Sequence, residues 1–317
     1  MPHRATILSR MVSSSATVPH AALAALSGAG ELALAATVTD PGEAGSVLLA
    51  HGFGQTRHAW SATAAALQAH GYRSVAYDAR GHGDSTRNPA GLAYRGEQFT
   101  DDLIVVAGEM APAPVLVAAS MGGLFGLMAE ARWPGLFRAM VLVDITPRWQ
   151  PAGVERILAF MTAHPRGFAS LDDAGDAIAA YLPQRARKSP EALRSVLRRH
   201  DDGRWYWHWD PRLVEELARG SDQHQAAIAQ AASKVHCPLL LVSGGRSDLL
   251  VTPQTIEEFL SLVPHAQHAH LPEATPMLAG DDNAAFTATV LHYLDALPPA
   301  SAGAPSAVTE HVPGASP

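Results

Sequence analysis

The strongest constraint on the fold is an alternation of short apolar runs with helix-like stretches. Five apolar runs are each followed by a turn that contains Gly or Asp, at 46–50, 74–77, 114–117, 140–143 and 238–242. Runs this continuous are what a parallel sheet buried on both faces requires. Helical patterns lie between them, at 58–70, 96–110, 121–133 and 253–262. The alternation predicts an open α/β sheet that binds ligands at the carboxyl ends of its strands.

The alternation stops between residues 147 and 235, where no strong strand run occurs. Four helix-like segments take its place, at 154–162, 171–182, 191–200 and 214–230. The sequence therefore predicts a helical lid over 147–235, inserted into a core made of 31–146 and 236–297. Residues 1–30 are expected to be a flexible N-terminal extension, and the Pro-, Ala-, Ser- and Gly-rich residues 298–317 a disordered tail.

Composition excludes several classes of partner. The chain has 317 residues and a formal net charge of −7, without a run of Lys or Arg, which argues against nucleic acid or an anionic membrane surface. No stretch reaches the ~18 consecutive apolar residues of a membrane-spanning helix. The one cysteine, Cys237, excludes an internal disulfide, so the fold needs no oxidising compartment. We expect a cytoplasmic protein whose partner is a small molecule; the oligomeric state stays open.

A turn around Ser120 has the pattern of a nucleophile elbow. After the apolar run 115–118 the chain reads Ala-Ser-Met-Gly-Gly at 119–123 and then opens an apolar helix. This is the strand–turn–helix context of the G-x-S-x-G motif, with a small Ala in the first Gly position. Ser120 Oγ would project at the top of the sheet, where the Met121 amide at the helix N-terminus can stabilise an oxyanion. The alternative is a serine that only caps the helix.

Three further motifs carry a family resemblance. His-Gly-Phe-Gly at 51–54 follows the first apolar run, Asp-Ala-Arg-Gly-His-Gly-Asp-Ser at 78–85 follows the next, and Val-Asp-Ile-Thr-Pro-Arg occupies 143–148. With the elbow, their order resembles the serine α/β-hydrolase superfamily, in its lid-bearing esterase and cofactor-free peroxidase-like branch. The resemblance covers residues 30 to 297. It implies an α/β-hydrolase fold, with a mostly parallel central sheet, helices on both faces and an inserted helical lid.

The resemblance also assigns site residues. It implies that the Phe53 amide is the second oxyanion donor beside Met121, and that His51 and His82 are structural loop residues. The triad acid of the family lies after the penultimate strand, where this chain has Asp248. The alternatives are that Asp248 caps the following helix, or that Asp144 is the acid.

The triad base is missing at its expected position. The resemblance places a His after the last strand, followed by a short acidic turn, and here the flanks match but the position holds Pro276. Proline has no side-chain base, so a Ser-His-Asp triad cannot be completed there. Two groups of histidines could substitute. One is His265, His268 and His270 on or near the last strand, and the other enters from the lid: His164, His200 and His208.

The tryptophans at 205, 207 and 209 are the remaining candidate site residues. Trp205, Trp207 and Trp209 could wall an apolar substrate pocket that faces Ser120, or they could attach the lid to the core. No zinc-binding helix, Cys/His cluster, phosphate loop or dinucleotide fingerprint occurs, so neither a metal nor a cofactor is expected.

Three functions are compatible with these residues. The first is a serine hydrolase of small or medium apolar ester-like substrates, with turnover impaired because the triad His is missing. The second is a non-catalytic ligand-binding or sensor protein on a hydrolase scaffold. The third is a cofactor-free lyase or peroxidase-like enzyme, in which the oxyanion hole matters more than the serine.

Overall fold

One large sheet organises the molecule. The computed structural model describes residues 21–30, 32–40, 42–183, 186–218, 221–244, 250–272, 274 and 284–298. Within them, eight strands form the sheet in the order β1-β2-β4-β3-β5-β6-β9-β10. Their bounds are β1 Ala21–Ser27, β2 Ala33–Thr39, β3 Gly45–Ala50, β4 Tyr72–Tyr77, β5 Val115–Ala119, β6 Ala139–Val143, β9 Leu239–Gly244 and β10 Gln267–Leu271.

The sheet is mostly parallel, as predicted. In this sheet the pairs β1–β2 and β2–β4 are antiparallel, and the other five pairs, β4–β3, β3–β5, β5–β6, β6–β9 and β9–β10, are parallel. Each of the five apolar runs forms one strand, and β5 and β6 are buried along their whole length. Both faces of these strands are covered, which is why the runs read as continuous rather than alternating.

Helices cover both faces of the sheet. Helices α1 and α10 pack on one face, around Leu67 and Phe286. Helices α2, α3, α8 and α9 pack on the other, around Leu103, Leu127 and Phe259. The helix bounds are α1 Ser61–Ala69, α2 Gly96–Gly108, α3 Met121–Arg132, α4 Pro151–Thr162, α5 Leu171–Tyr181, α6 Pro190–Leu193, α7 Arg212–Ala218, α8 Ser221–Ala232, α9 Pro253–Leu262 and α10 Ala284–Ala296.

The sheet begins earlier in the chain than the sequence predicts. Residues 21–27 were expected to be part of a flexible extension, but they form the edge strand β1. The hairpin is attached to the core because Ala29 N donates to the buried carboxylate of Asp102, at 2.8 Å, and Arg80 pairs with the same carboxylate. The Ala-rich sequence of β1 has a low intrinsic preference for strands, so its composition gave no sign of this pairing.

The segment between β6 and β9 also differs from its prediction. A helix was expected over 191–200, but β7 Leu197–Arg199 pairs there with β8 Trp205–Trp207 in a small antiparallel hairpin. Helix α8 lies inside the predicted lid span, yet its Ile228 and Ala232 are buried in the core cluster beside α3. The described residues between 147 and 218 are here called the insertion.

Candidate active site

Ser120 occupies a strained turn between β5 and α3. Its backbone has φ 46° and ψ −117°, a conformation that non-glycine residues rarely adopt. Such a residue costs about 1–3 kcal/mol and persists only where its surroundings hold it. Here the end of the neighbouring strand β6 holds it on one side, since Ser120 N donates to Val143 O at 3.1 Å. Helix α3 begins at the next residue and holds the other side.

The residues around the elbow must be small for strand and helix to approach each other. A methyl group on Gly122 would lie 2.8 Å from Ala50 O, and one on Gly123 would lie 2.8 Å from the Ile145 side chain. A methyl group on Gly52 would lie 3.2 Å from Ser120 Cβ. The loop after β3 therefore passes directly against the serine.

Two backbone amides beside Ser120 have no hydrogen-bond acceptor among the described residues: Phe53 N and Met121 N. Met121 is the first residue of α3, so its N–H has no partner within the helix, and the helix dipole adds partial positive charge at this end. Phe53 lies in the loop that passes against Ser120. Unpaired amides at such a place are what an oxyanion hole requires.

The loop that carries Phe53 is fixed by side chains on both sides. Gln55 Oε1 accepts the hydrogen bond of Gly52 N at 2.9 Å, and Gln55 N donates to Gly52 O at 3.1 Å. His51 Nδ1 donates to Gly52 O at 2.8 Å, and its Nε2 accepts from Ala79 N at 2.9 Å. The sequence analysis missed the role of Gln55, although an amide side chain three residues after Gly52 was a visible signal.

Three buried histidines lie beneath this loop. The ring of His82 lies 5.1 Å from that of His51 and 5.9 Å from that of His208, and Phe53 packs edge-on against His82. Burial lowers the pKa of His51 and His82, the latter well below its usual value. Burial also lowers the pKa of His208 to about 3. All three rings are therefore neutral at pH 7, which fits structural roles for His51 and His82.

None of the other candidate histidines reaches Ser120 as a base. His268 and His270 lie on β10, three strands from β5, or ~14 Å at the usual strand spacing. Their ring nitrogens hydrogen-bond to Ser243 Oγ, at 2.9 and 3.1 Å. His265 bonds to the carbonyl oxygen of Cys237 at 3.1 Å.

The histidines of the insertion are also engaged elsewhere. Both ring nitrogens of His208 bond to backbone groups, the amide of Gly83 and the carbonyl of Gly54. His164 packs on Phe168, and His200 stacks on Tyr206.

The three tryptophans divide between two environments. The rings of Trp207 and Trp209 stack at 4.7 Å, and Trp209 lies 6.3 Å from the Phe53 ring. Trp205 instead contacts Arg194, whose guanidinium lies over its ring, and packs on the small hydrophobic cluster of the insertion. Of the three tryptophans, Trp209 thus contacts the loop beside Ser120, and Trp207 is joined to that loop by stacking on Trp209.

Two residues named from the sequence, Asp248 and Pro276, lie outside the described residues. Asp144 is described: it follows β6 with a left-handed φ of 51°, and its N–H donates to Val242 O at 2.8 Å. In the described part of the chain, no three His, Cys, Asp or Glu side chains are grouped to hold a metal ion. No helix in those same ranges has the length and hydropathy needed to cross a bilayer.

The sheet order, the elbow and the crossing loop define an α/β-hydrolase, and comparison with known proteins agrees. The family model for serine aminopeptidases, S33, matches residues 42–274. The chain belongs to this family, within the α/β-hydrolase superfamily that the sequence motifs indicated.

Relatives with described activities include two bacterial hydrolases. Esterase Rv0045c of Mycobacterium tuberculosis is 32% identical over 247 residues, which are 73% of this chain and 76% of the relative. The 3-hydroxybutyrate-oligomer hydrolase of Cupriavidus necator is 26% identical over 245 residues, 74% of this chain and 83% of the relative.

Solved structures show the same fold. E-2-(acetamidomethylene)succinate hydrolase superposes with a TM-score of 0.75 at 21% identity, covering 87% of this chain and 100% of that one. The crystal structure of the M. tuberculosis esterase gives a TM-score of 0.67 at 27% identity, covering 88% and 92%. The protein is thus a hydrolase of the α/β-hydrolase class.

Proposed function

We propose that this protein is a serine hydrolase of small to medium apolar carboxylic esters, with Ser120 as its nucleophile. One observation carries the proposal: Ser120 is held at a positive φ directly against the loop of Phe53, and neither the Phe53 amide nor the Met121 amide has an acceptor among the described residues. Strain of this kind concentrates at functional sites. The described relatives add support, since one is named an esterase and another hydrolyses hydroxybutyrate oligomers.

The chemistry follows from this arrangement. Ser120 Oγ attacks the ester carbonyl carbon, and the carbonyl π electrons move to the oxygen. The Phe53 and Met121 amides donate hydrogen bonds to that oxyanion. Collapse of the intermediate breaks the C–O bond, the departing alcohol takes up the proton that Ser120 lost, and an acyl-serine remains. Water then attacks the acyl-serine, which releases the acid and regenerates Ser120. Asp248 would orient a histidine base in an intact triad.

The substrate pocket is proposed to lie under the insertion, which would act as a lid. Trp209 packs over the oxyanion loop, and Trp207 joins it to the Phe160 and Phe168 rings at 5.6 and 5.2 Å. Aromatic walls of this kind favour an apolar acyl or alcohol group. Trp205 belongs to the packing of the lid itself.

Pro276 limits the proposed turnover. None of the candidate histidines considered above is free to take the Ser120 proton, since each bonds to another group or packs against another ring. Removal of a triad member leaves only the catalysis supplied by the oxyanion hole and binding, about 10³–10⁴-fold over water in known cases. We therefore expect weak hydrolysis that Pro276→His would raise by orders of magnitude.

The test compares the full-length wild type with Pro276→His, Ser120→Ala and the double variant. Hydrolysis of p-nitrophenyl acetate and butyrate is measured together with labelling by a fluorophosphonate. We expect slow hydrolysis in the wild type, a gain of at least ~100-fold in Pro276→His, and loss of that gain in the double variant. Equal activity with and without Ser120 would contradict the nucleophile assignment.

A non-catalytic sensor is the second candidate, favoured by the proline at the base position. It predicts that Pro276→His gains no activity, while the wild type binds an apolar ligand tightly. Quenching of Trp fluorescence by short-chain esters and their acids would measure that binding, and Trp209→Leu would reduce it.

A further inference from the structure

His208 belongs to the insertion but lies among the loops of the core. It follows β8 directly and is 1% exposed. Its Nδ1 accepts from Gly83 N at 2.7 Å, and its Nε2 lies 3.2 Å from Gly54 O. An amide can only donate and a carbonyl can only accept, so the ring is neutral with its proton on Nε2.

The bond to Gly54 reaches the oxyanion loop itself. Gly54 follows Phe53, whose amide is one of the two proposed donors, and it has a φ of +74° with Trp209 directly against it. The loop is therefore held on this side by His208 through a hydrogen bond and by Trp209 through packing. Without the imidazole, the partly buried Gly54 O would lose this hydrogen bond.

The surrounding contacts make this attachment firm. Asp210 N donates to Gly81 O at 2.8 Å, and Asp210 Oδ2 accepts from Tyr94 Oη at 3.0 Å. Arg87 Nη2 donates to His208 O at 3.2 Å. Residues 208–210, here called the anchor, are thus bonded to the loops after β3 and β4.

We propose that His208 is a positioning residue that sets the geometry of the oxyanion loop from the insertion. The proposal rests on the proposed function in one respect, that the Phe53 amide stabilises an oxyanion. The insertion then cannot open at the anchor without releasing that amide.

Two substitutions separate the two bonds of the ring. Asparagine places Oδ1 where Nδ1 lies and keeps the acceptor for Gly83, but it does not reach Gly54. Glutamine can place Nε2 where the ring Nε2 lies and keeps the donor to Gly54. His208→Asn should therefore release the oxyanion loop and His208→Gln should retain it. His200→Asn, on an exposed residue of the insertion, is the matched control.

The first measurement is hydrogen exchange, which requires no activity. In His208→Asn, the peptide covering residues 51–56 should exchange at least ~10-fold faster than in the wild type. His208→Gln and His200→Asn should match the wild type there. Equal exchange of residues 51–56 in the Asn and Gln variants would overturn the proposal.

In the wild type, the peptides covering 51–56 and 206–210 should lose protection together under mild urea. Early loss at 206–210 alone would overturn it too, even if no variant folds.

The second measurement is activity, made in whichever of the wild type or Pro276→His turns over p-nitrophenyl esters. His208→Asn should lower kcat by ~10–100-fold with KM within ~3-fold, because a displaced oxyanion donor affects the transition state more than ground-state binding. His208→Gln should stay within ~3-fold of its parent. If no parent turns over, the proposed function fails while the exchange result still decides the role of His208.

Discussion

Asp78 shows how one residue can stabilise the loops beneath the site. Its side chain is fully buried and accepts from Arg57 N at 2.7 Å and from Asp84 N at 2.9 Å, and it also pairs with the Arg57 guanidinium. Arg57 pairs in turn with Asp84, which accepts from Arg198 of the insertion at 2.8 Å. The Asp of the motif at 78–85 therefore acts through loop geometry rather than through chemistry at Ser120.

We expect Asp78→Asn to destabilise the protein by about 3 kcal/mol, because it leaves the buried Arg57 with less compensating charge. The measurement is urea unfolding at pH 7. Asp172→Asn removes an exposed carboxylate that also pairs with an arginine, and should change stability by less than about 1 kcal/mol. Similar losses in the two variants would show that the buried network is no more important than a surface pair.

At the residue level, the sequence predicted what local chemistry dictates and missed what requires distant partners. The elbow was visible because a strained serine needs small neighbours within a few positions of the chain. His208 was considered only as a substitute base, because its partners Gly54 and Gly83 lie more than a hundred residues away. The missing base at Pro276 could be predicted because the flanking sequence identifies the position where the family has a histidine.

At the level of elements, burial decided which predictions succeeded. Strands β3, β5, β6 and β9 are mostly buried, so each contains a continuous apolar run that could be recognised. Strand β1 lies at the edge and is Ala-rich, and β7 has the sequence Leu-Arg-Arg. Both depend on pairing with a neighbour, which no short window of sequence reveals.

Helix α3 offers a test of how closely helix and sheet must pack below Ser120. A methyl group on Gly126 would overlap the Leu116 side chain of β5 and lie 3.3 Å from Met140 Cε. Gly126→Ala should therefore destabilise the protein by about 1–3 kcal/mol, despite the better helix propensity of alanine. Thermal and urea unfolding measure the change.

Gly175→Ala in α5 is the matched control. The nearest atoms to an added methyl group there belong to the tip of the exposed Arg187 side chain, at 3.2 Å, which can move. Helix propensity should then dominate, giving a gain of up to about 1 kcal/mol. If Gly126→Ala were also neutral or stabilising, close approach of α3 to β5 would not be a requirement of the elbow.

For the whole molecule, the site and its stability depend on the same loops. The parallel strands bring the turns after β3, β4, β5 and β6 to one edge, and the anchor at 208–210 bonds across two of them. The rings of His51, His82 and His208 fill the space between these turns, and burial lowers the pKa of each. Their neutrality in the folded state makes stability depend on pH.

The lowered pKa values of these histidines determine whether stability rises or falls with pH. Below a pH of about 6.5 the unfolded chain protonates its histidines, while burial keeps the pKa of the three rings lower in the folded state, so the unfolded state binds more protons and stability falls. The stability that these rings contribute is fully present above pH 7.5 and is lost progressively as the pH falls from 6.5. For His208 the loss continues to about pH 3. Burial also lowers the pKa of His58 and His268, but both are exposed side chains and add less.

We therefore expect the free energy of unfolding to fall between pH 7.5 and 5.5, by at most about 1.4 kcal/mol for each of the three rings. Urea unfolding at half-unit steps of pH measures it, in a range above the titration of most carboxylates. His208→Gln removes one of the three groups, so its loss over the same range should be smaller by about 1.4 kcal/mol. A stability that is flat or rises toward pH 5.5 would mean that these rings accept protons in the folded state. The oxyanion loop would then be held by charged groups rather than by the neutral tautomers that Gly54 and Gly83 require.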